Sequence, residues 1–91
     1  MGEQVLKLVK AQLGITITSR DDYIKAIIDG VKRELEEVQG LKIDLDDSSI
    51  LMFVVDYAAW RYESRNEDAG MPERLNWRLR NLMVSQHAKK L

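Results

Sequence analysis

Ninety-one residues, 45% hydrophobic and 32% charged, suffice for one soluble domain with a single core and leave too little chain for a second. The absence of cysteine excludes disulfides, thiolate metal sites and thiol nucleophiles together. The net charge of -1 is far from the strongly basic balance of a dedicated nucleic-acid binder, although residues 1–56 carry 7 Lys or Arg against 11 acids and residues 57–91 carry 7 against 4.

The N-terminus lacks a basic start followed by an apolar run, and no stretch approaches about 18 uncharged apolar residues, so neither export nor a membrane contact is expected. A domain of this size has an expected radius of gyration of about 12 Å, which leaves little depth for a substrate cleft. Residues 3–13 place Val5, Leu8, Val9 and Gln12 on one side with Leu6 and Leu13 adjacent. That spacing predicts a short helix, with Gly14 where a left-handed cap belongs. Ile15 to Thr18 alternates with period two and predicts an extended segment, and Ser19 with Asp22 has the spacing of a capping box.

A second helix is predicted over 21–39, with Ile24, Ile27, Ile28, Val31, Leu35 and Val38 as its inward stripe and Gly40 as its stop. Gly30 interrupts it on the polar side, a cost that close approach of another backbone would explain. Leu41, Ile43 and Leu45 alternate with polar residues and predict an extended connection, a candidate to pair with residues 15–18.

Asp46, Asp47, Ser48 and Ser49 offer caps for a third helix over 50–65, whose only polar line before the last turn is Ser49, Asp56 and Glu63. It is therefore expected at the centre, with Tyr57 and Trp60 in the core and Asp56 held by a cation within or between subunits. A polar loop over 66–70 precedes a fourth helix, with Pro72 at its first position, Glu73 beside it and an end near residue 89. The whole predicts an all-α fold, a compact bundle of four helices in one domain over 1–91.

The fourth helix has two apolar sides. Leu75, Leu79, Leu82 and Met83, with Gln86, face one way, while Trp77, Arg80, Asn81 and Val84 face the other. Trp beside Arg is the pairing enriched at interface hot spots, so this second stripe is a candidate protein contact. The competing arrangement folds Trp77 back over the first helix. Arg74, Arg78 and Arg80, with Lys89 and Lys90, form a basic rim able to touch phosphates.

Little in the chain carries chemistry. The lone His87 has no second His, no Cys and no acid in the final fourteen residues, so it is expected as an exposed tail residue. The glycines are isolated rather than grouped into a phosphate loop. Asp44, Asp46 and Asp47 lack the Gly and terminal Glu of a calcium loop and are expected as helix caps. Glu34, Glu36 and Glu37 form a solvated face or an acidic docking surface. No enzymatic activity, cofactor or metal is expected.

Taken together, these blocks resemble the short helical head-tail connector (adaptor) proteins of tailed bacteriophages and prophages, also called DNA-packaging-like connectors. The specific part is the apolar helix Leu51-Met52-Phe53-Val54-Val55-Asp56-Tyr57-Ala58-Ala59-Trp60-Arg61-Tyr62, followed by Met71-Pro72-Glu73 leading into Trp77-Arg78-Leu79-Arg80-Asn81-Leu82. Leu6 to Ile15 and the Asp21-Asp22-Tyr23-Ile24 start of the second helix extend the resemblance over nearly the whole chain.

The resemblance implies a homo-oligomeric ring docked below the portal protein, extending the channel for passing DNA without sequence recognition and presenting a surface to the next neck or tail-completion protein. It places the protein in the virion neck, and in the host cytoplasm before assembly. In such proteins a loop and the C-terminal segment make contacts with the portal, which here implicates Asn66 to Met71 and the end after Gln86, with Arg65, Glu67 and Asp68 as candidate interface residues. The rival reading is a small nucleic-acid-binding or regulatory helical protein using the Arg-rich fourth helix; an antitoxin-like partner protein is a third.

Overall fold

The structure, a computed structural model, describes the backbone of residues 2–68 and 70–90 and the side chains of residues 3–68 and 70–88. Four helices follow one another: α1 (Gly2–Leu13), α2 (Asp21–Arg33), α3 (Ser48–Glu63) and α4 (Glu73–Lys90). The expected all-α bundle is present. α3 packs against each of the others; α1 and α2 also touch, whereas the backbone of α4 approaches only α3 among the helices. The radius of gyration is 13.2 Å.

α3 occupies the centre because its sequence leaves few polar positions. Ile50, Phe53, Val54, Val55, Tyr57, Ala58, Ala59 and Tyr62 are all buried, and the small Ala58 and Ala59 leave room for the neighbouring helices. Val5, Leu6 and Val9 of α1, Ile24, Ile28 and Val31 of α2, and Leu75 and Leu79 of α4 close around it. Asp47 caps α3, its side chain accepting the Ser49 N–H at 2.9 Å, so the helix starts and ends two residues earlier than the apolar pattern suggested. Asp44 holds the preceding turn, accepting the Asp46 N–H at 3.1 Å.

Several local expectations are corrected, three of them in the first half of the chain and its connection to α3. The Ser19–Asp22 capping box does not form: Arg20 is the N-cap of α2 and makes no side-chain cap bond, while the Asp21 N–H bonds to the Thr18 carbonyl at 3.1 Å. The helix over 21–39 is also not uniform. Residues Glu34–Val38 form a π turn, seen in the 3.1 Å bond from the Gln39 N–H to the Glu34 carbonyl five residues back. That wider turn takes Val38 off the inward stripe and leaves it 75% exposed. Gly40, at φ 78°, then reverses the chain as expected and lets the Leu41 N–H reach the Leu35 carbonyl at 2.8 Å.

The third correction concerns the connection over 41–45. It carries no regular structure over 41–44 and turns at Leu45, anchored by buried Leu41 and half-buried Ile43 and Leu45; it pairs with no strand among the described residues, and Ile17 is turned out, 56% exposed. At Lys42 the backbone is satisfied by α4 instead. The Gln86 amide receives the Lys42 N–H at 3.0 Å and donates to the Lys42 carbonyl at 2.6 Å, replacing what a neighbouring strand would supply. Pro72 sits one position earlier than expected, outside α4, with its carbonyl accepting the N–H groups of Leu75 and Asn76.

Gly30 has no backbone close to it. A Cβ built there would meet Arg61 Nη1 at 3.7 Å, an ordinary contact with the end of a flexible side chain. Gly30→Ala should therefore raise the unfolding free energy by roughly 0.5–1 kcal/mol in urea denaturation, the helix-propensity difference. A loss of stability would show that a close approach forbids the methyl.

Candidate interaction surface

The outer side of α4 is fixed by what its inner side does. Leu75 and Leu79 are buried and Leu82 and Met83 half-buried, so the side opposite, 100° per residue around the helix, faces solvent. Trp77 is 61% exposed and Val84 68%, and Arg74, Arg80 and Asn81 are exposed with them. Trp77 does not cover α1. His87 is exposed near the end of this helix, where the side chains of Lys89 and Lys90 lie outside the described ones.

Arg78 differs from its neighbours. It is half-buried and donates to Asp56 at 2.5 Å, with its guanidinium carbon 5.5 Å from the centre of the Phe53 ring. The ion pair that a carboxylate among apolar residues demands thus forms within one chain, between α3 and α4. Beside it, Ser48, Ser49, Met52, Asn81 and Leu82 line an open groove of about 450 Å³ between the start of α3 and the middle of α4. Met52, 41% exposed, adds apolar surface there. The sequence contained its signal: Met52 lies about 60° from Ser49 on the helical wheel, next to the polar line of Ser49, Asp56 and Glu63.

The loop candidates form a separate patch. Arg65 is exposed, its guanidinium 4.2 Å from the centre of the Tyr62 ring and bonded to the Tyr62 carbonyl at 2.6 Å. Glu67 and Asp68 are exposed, and the Glu67 N–H bonds to the Ser64 carbonyl at 2.9 Å. Arg65 and Glu67 border an open groove of about 560 Å³ with Val38, Trp60 and Asn76. The structure thus brings Trp77, Arg80, Asn81 and Val84 onto one face, with Arg74 at its flank, and sets Arg65, Glu67 and Asp68 apart at the end of α3.

The floor of the second groove holds a polar cluster whose link to α2 sequence reasoning missed. Glu34, expected on a solvated face, accepts the Tyr57 hydroxyl at 2.5 Å and the Arg61 guanidinium at 2.6 Å, and Arg61 also donates to the Tyr57 oxygen at 2.9 Å. Tyr57 and Arg61 are visibly one turn apart, but their partner is 27 positions from Arg61 and is delivered by the π turn. Trp60 is half-buried and stacks on Tyr57, ring centres 5.9 Å apart.

Burial, and after it the bond to Glu34, push the Tyr57 hydroxyl up to about 12, with Arg61 opposing. Burial disfavours the Arg61 charge, but the Glu34 bond and the neighbouring oxygens outweigh it and raise its pKa further. Because an unfolded tyrosine ionises near 10, the stabilisation tied to neutral Tyr57 is fully present below about pH 10 and is lost as pH rises from about 10 to 12. Tyr57→Phe should flatten that part of the stability–pH curve, and an absorbance titration of the native chain should show one tyrosine ionising near 12. A Tyr57 that ionises near 10 would contradict the cluster.

Among the described residues no helix is long and apolar enough to cross a membrane. The grooves are open, and α4 carries two exposed apolar residues, Trp77 and Val84, on one face, an arrangement suited to contact with another macromolecule. Comparison with known proteins found no match among curated proteins and none among solved structures. The model of one family, described as phage gp6-like head-tail connector protein, matches residues 3–76, from α1 to the first turn of α4. Arg65, Glu67, Asp68 and Arg74 fall inside that span, whereas Trp77, Arg78, Arg80, Asn81 and Val84 lie beyond it. Because the match runs from α1 through α2 and α3 into α4 and covers most of the chain, this protein belongs to the phage gp6-like head-tail connector family.

Proposed function

We propose that the protein forms a ring of identical copies below the portal of a phage or prophage head, extends the DNA channel and presents a docking surface to the next neck or tail-completion protein. Membership of a structural connector family is the observation that carries this reading. The exposed Trp77 and Val84 support it, because one small core has used the inner side of α4 and left an apolar stripe flanked by Arg74 and Arg80. We assign Trp77, Arg80, Asn81 and Val84 to contacts between copies, and Arg65, Glu67 and Asp68 to contact with the portal or the next protein. The chain resides in the host cytoplasm until it joins the virion neck, and DNA passes without sequence recognition.

The nucleic-acid reading has less support. Arg78 is committed to Asp56, which removes one cation from the described part of α4 and leaves Arg74 and Arg80 as its exposed arginines, few for a nucleic-acid contact. Cosedimentation with DNA-filled, tailless heads, titrated to saturation, separates the two. Saturable binding that persists at high salt supports the connector role. Absence of binding to competent heads, with salt-sensitive binding to free DNA, would reject it in favour of the nucleic-acid role.

A further inference from the structure

The surface available to a second copy has two unlike sides. Among the described residues α4 packs against α3, and its backbone comes near neither α1 nor α2. On α4 the outward groups are Trp77, Val84, Arg74 and Arg80, with Glu73 as the acid among them. On α2 and the π turn after it, the inward stripe is Ile24, Ile28, Val31 and Leu35, so the outward line is Asp22, Asp29, Glu36 and Glu37, with Lys25 and Arg33 interspersed. One side is thus net basic around an exposed tryptophan and the other net acidic.

Two α4 faces brought together across a two-fold axis would set Arg74 and Arg80 of both copies close to one another, whereas the α2 face, net acidic despite Lys25 and Arg33, complements them. An α4 face against an α2 face places guanidinium groups near carboxylates and covers Trp77. A contact between two different patches is heterologous, and it propagates to a closed ring or an open filament rather than stopping at a dimer. Resting on the ring reading above, we propose that copies of this chain join head to tail, with the Trp77–Arg80–Val84 face of α4 in one copy seated on the Asp22–Asp29–Glu36 face of α2 in the next.

The test uses two variants, each disabled on one side at exposed positions. Trp77→Ala with Arg80→Glu removes the α4 face, and Asp29→Lys with Glu36→Lys removes the α2 face. Circular dichroism and thermal melting check that both remain folded. The native chain is followed by sedimentation velocity to millimolar concentration, alone and beside each variant. The expected result is that the native chain assembles, that either variant alone needs about 30-fold or more higher concentration to do so, and that an equimolar mixture of the two forms a one-to-one pair that grows no further. The pair forms because each variant retains the face the other lacks.

An α2 variant that assembles like the native chain would overturn the proposed pairing, while leaving the ring itself in place. A native chain that stays monomeric at every concentration would also overturn this direct contact. In that case saturable binding to heads would still separate the connector role from the loss of the inference.

Discussion

Phe53→Ala should lower the unfolding free energy by about 3–5 kcal/mol, a loss that consumes much of the roughly 5–13 kcal/mol expected for a chain of this length. Phe53 is fully buried on the one helix that touches all the others, and it is the largest side chain with no exposed surface. Its ring lies 6.0 Å from that of Tyr57 and under the Arg78 guanidinium, so truncation opens a cavity and also loosens the support of the Asp56–Arg78 pair. Urea denaturation followed by circular dichroism measures the change. A loss under about 1 kcal/mol would mean that α3 does not organise the core in this way.

Trp77→Ala should have the opposite profile. Trp77 is 61% exposed, so the isolated chain should keep its fold and its stability to within about 0.5 kcal/mol. Binding to tailless heads, where copies must meet, should weaken by about 30-fold or more, since a tryptophan beside arginine at the centre of a contact typically contributes over 2 kcal/mol. Thermal melting and a head-binding titration of the same preparation read both quantities. Unfolding of the variant would show that Trp77 supports the core, and unchanged binding would remove α4 from the assembly surface.

The pair of substitutions also shows which parts of the fold were legible from sequence. α3 could be recognised as central because a helix with one polar line has no other place to go, and burial of Phe53, Val54, Val55 and Tyr57 follows from that pattern. The outward position of Trp77 followed from the same geometry, since the leucines of α4 fix the opposite side. Asp56 announced a cation but not which one: Arg78, read from sequence as part of a basic rim, is the residue that supplies it.

What sequence periodicity could not show was every place where the backbone leaves the regular 3.6-residue repeat or where a side chain takes a backbone's role. The π turn at Glu34–Val38 changes the register of a stripe that looks continuous, so Val38 emerges and Glu34 turns toward Tyr57 and Arg61. Leu41, Ile43 and Leu45 alternate and anchor the connection, but an alternating pattern does not distinguish a strand partner from the Gln86 amide that bonds Lys42 on both sides. At the start of α2, Ser19 and Asp22 have the right spacing for a cap, yet the Thr18–Asp21 turn makes Arg20 the boundary instead.

For the candidate surface, the residue types on α4 were evident while their partners were not. Periodicity identifies a face left uncovered, and the fold adds that the backbones of α4 and α2 do not approach one another among the described residues, so the basic and acidic faces lie on separate helices. Head-to-tail contact needs that separation, and no linear pattern encodes it.

The most direct measurement is electron cryomicroscopy of tailless, DNA-filled heads saturated with the purified protein. The account predicts a closed ring of copies at the single portal vertex, with an axial channel continuous with that of the portal and with α4 at the junction between neighbours. Density distributed over the capsid shell, or isolated copies with no contact at α4, would contradict it.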